Sequence, residues 1–285
     1  MKLIVPERFM VVLAFVCFFA TTLSAQQAER LRERVAAIAS GANVAARRSA
    51  IIDTLKASAV DYRLEGFILQ GATGTNITVN LVATNATRIV LLGAHYDRVS
   101  VGQGAVDNAA SCAILLDLLS AFKAQPMRTY SVTAVFFDLE ERGLIGSRAY
   151  FQTNRAARPD QAINLDIFGY GDTLFVNPSV TNGPLIIALR QAAKALSFPI
   201  REVTSGAGYP PGDDRSMMAA GLETLGMALI DGTEIDSIVG RQSGAPPRIL
   251  TIIHSPGDTT DKIRPEEMAK AFPVLEAMIR RLDQP

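Results

Sequence analysis

Apolar side chains change their spacing several times along the chain, and each change predicts an element. From Ala28 to about Ala59 they recur at helical intervals, at Leu31, Val35 and Ile38 and again at Ile51, Ile52 and Leu55, with Gly41 placed to divide the run in two. Strand-like runs follow at Tyr62–Leu69, Asn76–Ala83 and Arg88–Ala94. Asp107–Lys123 is apolar on nearly every side and predicts a buried helix. Tyr130–Phe137, rich in Val and Phe, predicts a strand covered on both faces. A helix is expected over Glu141–Thr153 and a strand over Ala162–Phe168.

The second half continues the alternation. Pro184–Leu196 reads as a helix, Ser205–Gly212 as a Gly/Pro loop, Ser216–Ala220 as a short helix and Glu223–Ile230 as a strand. Asp231–Arg248, rich in Gly, Pro and Ser, reads as a long surface loop. Pro265 opens a final helix, with Glu266 and Glu267 at its positive end. Strands alternating with helices predict an α/β fold, a sheet sandwiched by helices, and 285 residues suit one sizeable core.

Composition narrows the class. Apolar residues make up 48% of the chain, and 28 basic residues balance 28 acidic ones, so there is no basic surplus of the kind nucleic-acid binding calls for. Lys2 and Arg8 precede an apolar run from Phe9 to Leu23, and Leu23-Ser24-Ala25 ends in a small residue suited to cleavage. Residues 1–25 therefore read as a secretory signal peptide, with 26–285 as the working domain and a secreted or periplasmic destination. The run falls short of the roughly 20 residues a membrane span needs, so no stable membrane association is expected after its removal. Cys17 would leave with the leader and Cys112 would stand alone.

Five short segments place polar residues where apolar elements begin, end or are interrupted, which in α/β sheets is where ligands bind. In Gly93-Ala94-His95-Tyr96-Asp97 a strand runs into a histidine, a good zinc ligand when neutral, with Asp97 able to accept a hydrogen bond behind it. In Gly104-Ala105-Val106-Asp107-Asn108 two polar residues open a buried helix, where either could simply cap it. In Phe137-Asp138-Leu139-Glu140-Glu141 a buried strand ends in three acids, whose adjacent carboxylates point apart, so one can bind metal while the other handles protons. Asp166 interrupts the apolar run of Asn164-Leu165-Asp166-Ile167-Phe168, and a buried carboxylate is costly unless paired or bound to a cation. His254 follows Ile252-Ile253 and precedes Ser255-Pro256-Gly257-Asp258. Taken singly, a strand-end histidine is commonly structural; here the chain's two histidines both close apolar runs beside acid-bearing loops.

The segments GAHYD, GAVDNAAS, LEERGLIGS, NLDIFGYGD and HSPGDTTDKI, in that order between residues 93 and 263, resemble those of the M28 family of zinc metallopeptidases. The resemblance implies a single domain with a mixed, mostly parallel β-sheet between helices, as in zinc aminopeptidases. It implies two zinc ions, replaceable by cobalt or manganese, held by His95, Asp107, Glu141, Asp166 and His254, with Asp107 bridging. It further implies Glu140 as general base, Asp97 as the acid that orients His95, and peptides as substrates cut at the N-terminal end. Where the family often carries Ser-Asp-His, this chain has Gly212-Asp213-Asp214-Arg215, so Asp213 or Asp214 is a candidate substrate-binding carboxylate, with a helix cap as the alternative. Tyr209 is a candidate oxyanion partner. Carboxypeptidase and glutaminyl cyclase activities occur on the same fold, and so do non-catalytic binding proteins that have lost metal ligands. The cyclases are expected to line their pocket with Trp, which this chain lacks. No Gly-x-Ser-x-Gly elbow and no phosphate-binding Gly-Lys-Ser/Thr loop is present.

Overall fold

The computed structural model describes residues 24–154, 158–203, 208–240 and 246–284. The expected leader thus lies outside the described residues, apart from Ser24 and Ala25, which open the first described helix. That helix, α1, covers 24–39, and α2 covers Val44–Ala57. The break falls at Gly41 as the sequence predicts. A Cβ there would sit 2.7 Å from the backbone nitrogen of Arg47, so the chain can fold back only at a glycine. Asn43 caps α2 by accepting the Ala46 N–H.

Eight strands form one sheet in the order β1-β2-β4-β3-β5-β8-β6-β7. They are β1 Arg63–Leu69, β2 Ala72–Leu81, β3 Arg88–His95, β4 Tyr130–Phe137, β5 Gln161–Leu165, β6 Thr173–Pro178, β7 Ile200–Glu202 and β8 Glu223–Ile230. The central β4, β3, β5 and β8 run parallel, while the β1–β2, β2–β4 and β6–β8 pairings are antiparallel. Alternation along the central strands sorts the two faces. Val90, Leu92 and Ala94 of β3 and Val132, Ala134 and Phe136 of β4 pack with α1, α2, α3 (Ala110–Ala124), α5 (Pro184–Ala195) and α9 (Pro265–Leu282). Leu91, Val135 and Phe137 face the other way, against α4 (Ile145–Thr153) and α6 (Asp214–Ala219).

Where boundaries differ from the sequence pattern, local hydrogen bonding decides them. The helix expected from Glu141 begins at Ile145, because the Gly143 and Leu144 N–H groups both close a turn onto the Glu140 carbonyl. The helix expected from Asp107 begins with a kinked turn, Ala105–Ala109, in which Asp107 and Asn108 have non-helical backbone, and α3 follows it. The strand expected through Phe168 stops at Leu165, leaving Asp166 on a loop. The strands β6 and β7 were not foreseen. The expected surface loop 231–248 instead carries a 3-10 turn, Gly232–Glu234, and a short helix α7, Ile235–Ile238, among its described residues, and α8, Arg248–Ile252, starts at its end. Part of the Ser205–Gly212 loop lies outside the described residues.

The N-terminal helices are tied to the core by charge as well as by apolar contact. Asp117 of α3 is 2% exposed and accepts from Arg30 at 2.9 Å and from Arg34 of α1. Asp117→Ala would leave the largely buried Arg34 without its partner, and a loss on the order of 3 kcal/mol in unfolding free energy is expected by denaturant titration. A loss under about 1 kcal/mol would place this contact among ordinary surface ion pairs.

Candidate metal centre

The centre forms at the C-terminal ends of the parallel strands. His95 is the last residue of β3, paired in register with Phe137 at the end of β4, and Asp166 follows β5 directly. Asp107 is carried in by the kinked turn Ala105–Ala109. The N–H groups of Ala105, Val106 and Asp107 all donate to the carboxylate of Asp258, at 2.8, 2.8 and 3.2 Å. Glu141 arrives on the turn after β4, and His254 on the loop after α8. Leu139, Ile167 and His254 each adopt φ of +56°, a left-handed backbone that costs a non-glycine residue energy. Two adjoin Glu140 and Asp166, and the third is itself in the centre, so this strain is concentrated where the functional side chains must be aimed.

The five residues that the resemblance pointed to converge as two triads sharing one member. His95, Asp107 and Asp166 present ligand atoms within 4.8 Å of one another, and so do Asp107, Glu141 and His254. One Asp107 oxygen, Oδ1, lies 3.1 Å from His95 Nε2, and the other, Oδ2, lies 3.1 Å from His254 Nε2. Asp166 Oδ1 is 3.4 Å from His95 Nε2, and Glu141 Oε2 is 3.0 Å from His254 Nε2. Asp97 stands behind the first triad, with Oδ1 at 3.4 Å from His95 Nδ1. Its two oxygens also accept the N–H groups of Glu140 and Glu141, so one buried carboxylate addresses both the imidazole and the acidic turn. Glu140 belongs to neither triad, yet it lies close enough to feel the charges of His95, Asp166, Asp213 and Asp107.

The electrostatics are those of crowded acids around two imidazoles. Burial, reinforced by neighbouring carboxylates, pushes Glu140 up to about 9 and Glu141 up to about 7. Burial works against ionising Asp107 too, but hydrogen bonding from His254 and His95 holds it well below the usual carboxylate range. His254 is raised to about 9, chiefly by its hydrogen bond to Asp107. Burial opposes charging His95, while Glu140 and Asp166 raise its pKa well above the ordinary histidine value. Two buried atoms, Glu141 Oε1 and His95 Nδ1, have no hydrogen-bond partner. Imidazole and carboxylate donors in this number, arranged as two clusters around a shared carboxylate, fit a pair of divalent cations and match the donor preference of zinc.

Beside Asp166 lies a small apolar recess of about 30 Å³, walled by Ile167, Phe175, Ala228, Ile230, Ile249 and Leu250. Tyr209 closes one side, its ring 5.0 Å from that of Phe175. Burial raises the Tyr209 phenol well above its ordinary value. Asp213 and Asp214 are buried too but do not line the recess. Asp213 sits at the start of α6 without capping it, and both its oxygens are unpartnered. Asp214 accepts the Gly212 N–H at 3.2 Å. Asp258 lies in the HSPGDTTDKI motif, where no local signal marks its role; three consecutive amides on one carboxylate reveal it.

The family model of peptidase family M28 matches residues 76–279, a stretch that holds every residue of both triads. The chain belongs to peptidase family M28. This M28 chain is 25% identical over 201 residues to a probable leucine aminopeptidase of Arthroderma otae, covering 66% of the chain and 52% of that protein. It is 31% identical over 119 residues to leupeptin-inactivating enzyme 1 of Streptomyces exfoliatus, covering 40% of the chain and 27% of that enzyme. The chain spans about half the length of the leucine aminopeptidases it matches, and a smaller share of the longer relatives. Among solved structures, its fold is similar to LapB of Legionella pneumophila at a TM-score of 0.74 and 15% identity, covering 93% of this chain and 75% of that one. It is also similar to a glutaminyl cyclase of Porphyromonas gingivalis at 0.72 and 19%, covering 90% and 98%.

Proposed function

We propose that this chain is an exported two-zinc aminopeptidase acting on peptides whose first residue is apolar. The observation that carries this reading is Asp107, whose two oxygens serve two separate imidazole-containing triads. The chemistry a zinc pair supplies when bound is Lewis acidity toward water and toward the scissile carbonyl. The rest belongs to the protein. Glu140, beside the triads but in neither, takes the proton of the attacking water and delivers it to the leaving amine, a task suited to a carboxylate that burial makes more basic than an exposed one. Asp97, with Oδ1 3.4 Å from His95 Nδ1, favours the imidazole orientation that leaves Nε2 to ligate. Tyr209, kept protonated by burial, donates to the oxyanion as it forms. The recess takes the first side chain of the peptide and excludes water from it.

The same recess favours cutting at the amino end. Among the described residues no Lys or Arg lines it, whereas holding a C-terminal carboxylate calls for a cation, best an arginine. Asp166 at its rim instead suits an ammonium group. Cyclase activity is the second reading, on the similarity of fold to the Porphyromonas enzyme, and the absence of Trp from the chain weighs against it. The deciding test uses purified protein with about two metals per chain by elemental analysis. It compares Leu-initiated peptides that have a free or acetylated N-terminus and a free or amidated C-terminus, alongside peptides beginning with Gln. Cleavage lost on acetylation and kept on amidation is the expected result. The opposite pattern would make the enzyme a carboxypeptidase, ring closure of N-terminal Gln would make it a cyclase, and full activity without metal would sink the reading altogether.

A further inference from the structure

We infer that Arg47, on α2 and outside the stretch matched by the family model, is a positioning residue that fixes His95 and Asp107 relative to each other. Its side chain is fully buried, and its three hydrogen bonds all end on backbone carbonyls. Nε donates to the carbonyl of Tyr96, the residue after His95, at 2.5 Å. Nη1 and Nη2 donate to the carbonyls of Gln103 and Gly104, at 2.8 and 3.1 Å, immediately before the turn that carries Asp107. One rigid guanidinium fork thus spans the segments that deliver His95 and Asp107, two of the three members of the first triad, a geometry that a lysine ammonium cannot reproduce.

The other side of the same turn is held by Asp258, which takes the next three amides. The 103–107 segment is therefore gripped by a cation on its carbonyls and an anion on its amides. Burying a guanidinium is costly, and Arg47 occupies the face of α2 that Ile51 and Leu55 fill with apolar side chains. What the cation does there is satisfy the carbonyls of Tyr96 and Gln103 and share that of Gly104 with the Ala109 N–H. Loosening that grip changes the distance between the imidazole and the bridging carboxylate, which a metal pair senses before the fold does. This inference rests on the metal reading proposed above.

The test uses the full-length protein with Arg47→Met, Arg47→Lys and, as a control, Leu55→Ala, a purely apolar change on the same helix. Zinc affinity is read by competition with a chromophoric chelator, together with kcat, KM and thermal midpoint. Arg47→Met is expected to weaken zinc binding by about 10–100-fold and to lower kcat more than it raises KM, the size of effect seen when partners of ligating groups are removed. Arg47→Lys should fall between, and Leu55→Ala should lose stability while holding zinc affinity within about twofold of wild type. Wild-type affinity in a folded Arg47→Met protein, or an equal loss in Leu55→Ala, overturns the inference. If Arg47→Met does not fold, Arg47→Lys decides on the same titration, and wild-type affinity there overturns it. Failure of the wild-type protein itself to bind zinc would instead bring down the metal reading, and this inference with it.

Discussion

Glu140→Gln is expected to leave fold and metal content unchanged and to lower kcat by about 10²–10⁴-fold, the usual contribution of a positioned acid–base group. The neighbouring change, Glu141→Gln, should act differently. Glu141 Oε2 lies 3.0 Å from His254 Nε2 inside the second triad, so its loss removes a charged ligand and weakens metal binding there. The two side chains are adjacent in sequence, but Asp97 accepts both of their backbone N–H groups and holds the turn so that only Glu141 enters a triad. Measuring metal content and kcat for both variants separates the roles. A metal-depleted Glu140→Gln protein beside a metal-replete but inactive Glu141→Gln protein would reverse the assignment.

Asp107→Ala is expected to remove both metals and to take activity below detection. No other residue is common to the two triads, and its oxygens are divided one to each. Asp166→Ala, by contrast, touches only the triad of His95 and should cost one metal in preference to the other. Metal counts on the two purified variants decide the matter. Two retained metals in Asp107→Ala would refute the bridge, and identical losses in both variants would mean that the two positions fill only together. Circular dichroism should still show the α/β fold in either variant, because the apolar core extends over all the central strands and does not depend on the centre.

Much of this was legible before any coordinates. Strand β4 and strand β8 begin and end where the apolar pattern places them, because a strand buried on both faces has nowhere to put a polar residue. The final helix begins at Pro265 for an equally local reason, since a proline at the first turn sacrifices no intrahelical hydrogen bond. The five triad residues were nameable through the family resemblance of their short motifs, and the structure brings all five together. Arg47 left a fainter trace: a lone cation in the apolar stripe formed with Val44, Ile51 and Leu55, which periodicity alone reads as a tolerated exception.

What the sequence determined by itself was most of the elements, though not β6, β7 or α7, and the identity of the chemical groups, because propensity, burial pattern and ligand type are local properties. What only the tertiary structure decided was division of labour. Which oxygen of Asp107 faces which imidazole, why Glu140 stays outside the triads, and that Asp213 and Asp214 are buried but not in the wall of the recess all depend on how distant segments meet. So does the partnership of Arg47 and Asp258 around a turn that lies 56 residues from one and 151 from the other. Such placements follow from the order in which strands pair and loops are clamped, and no window of neighbouring residues contains that information.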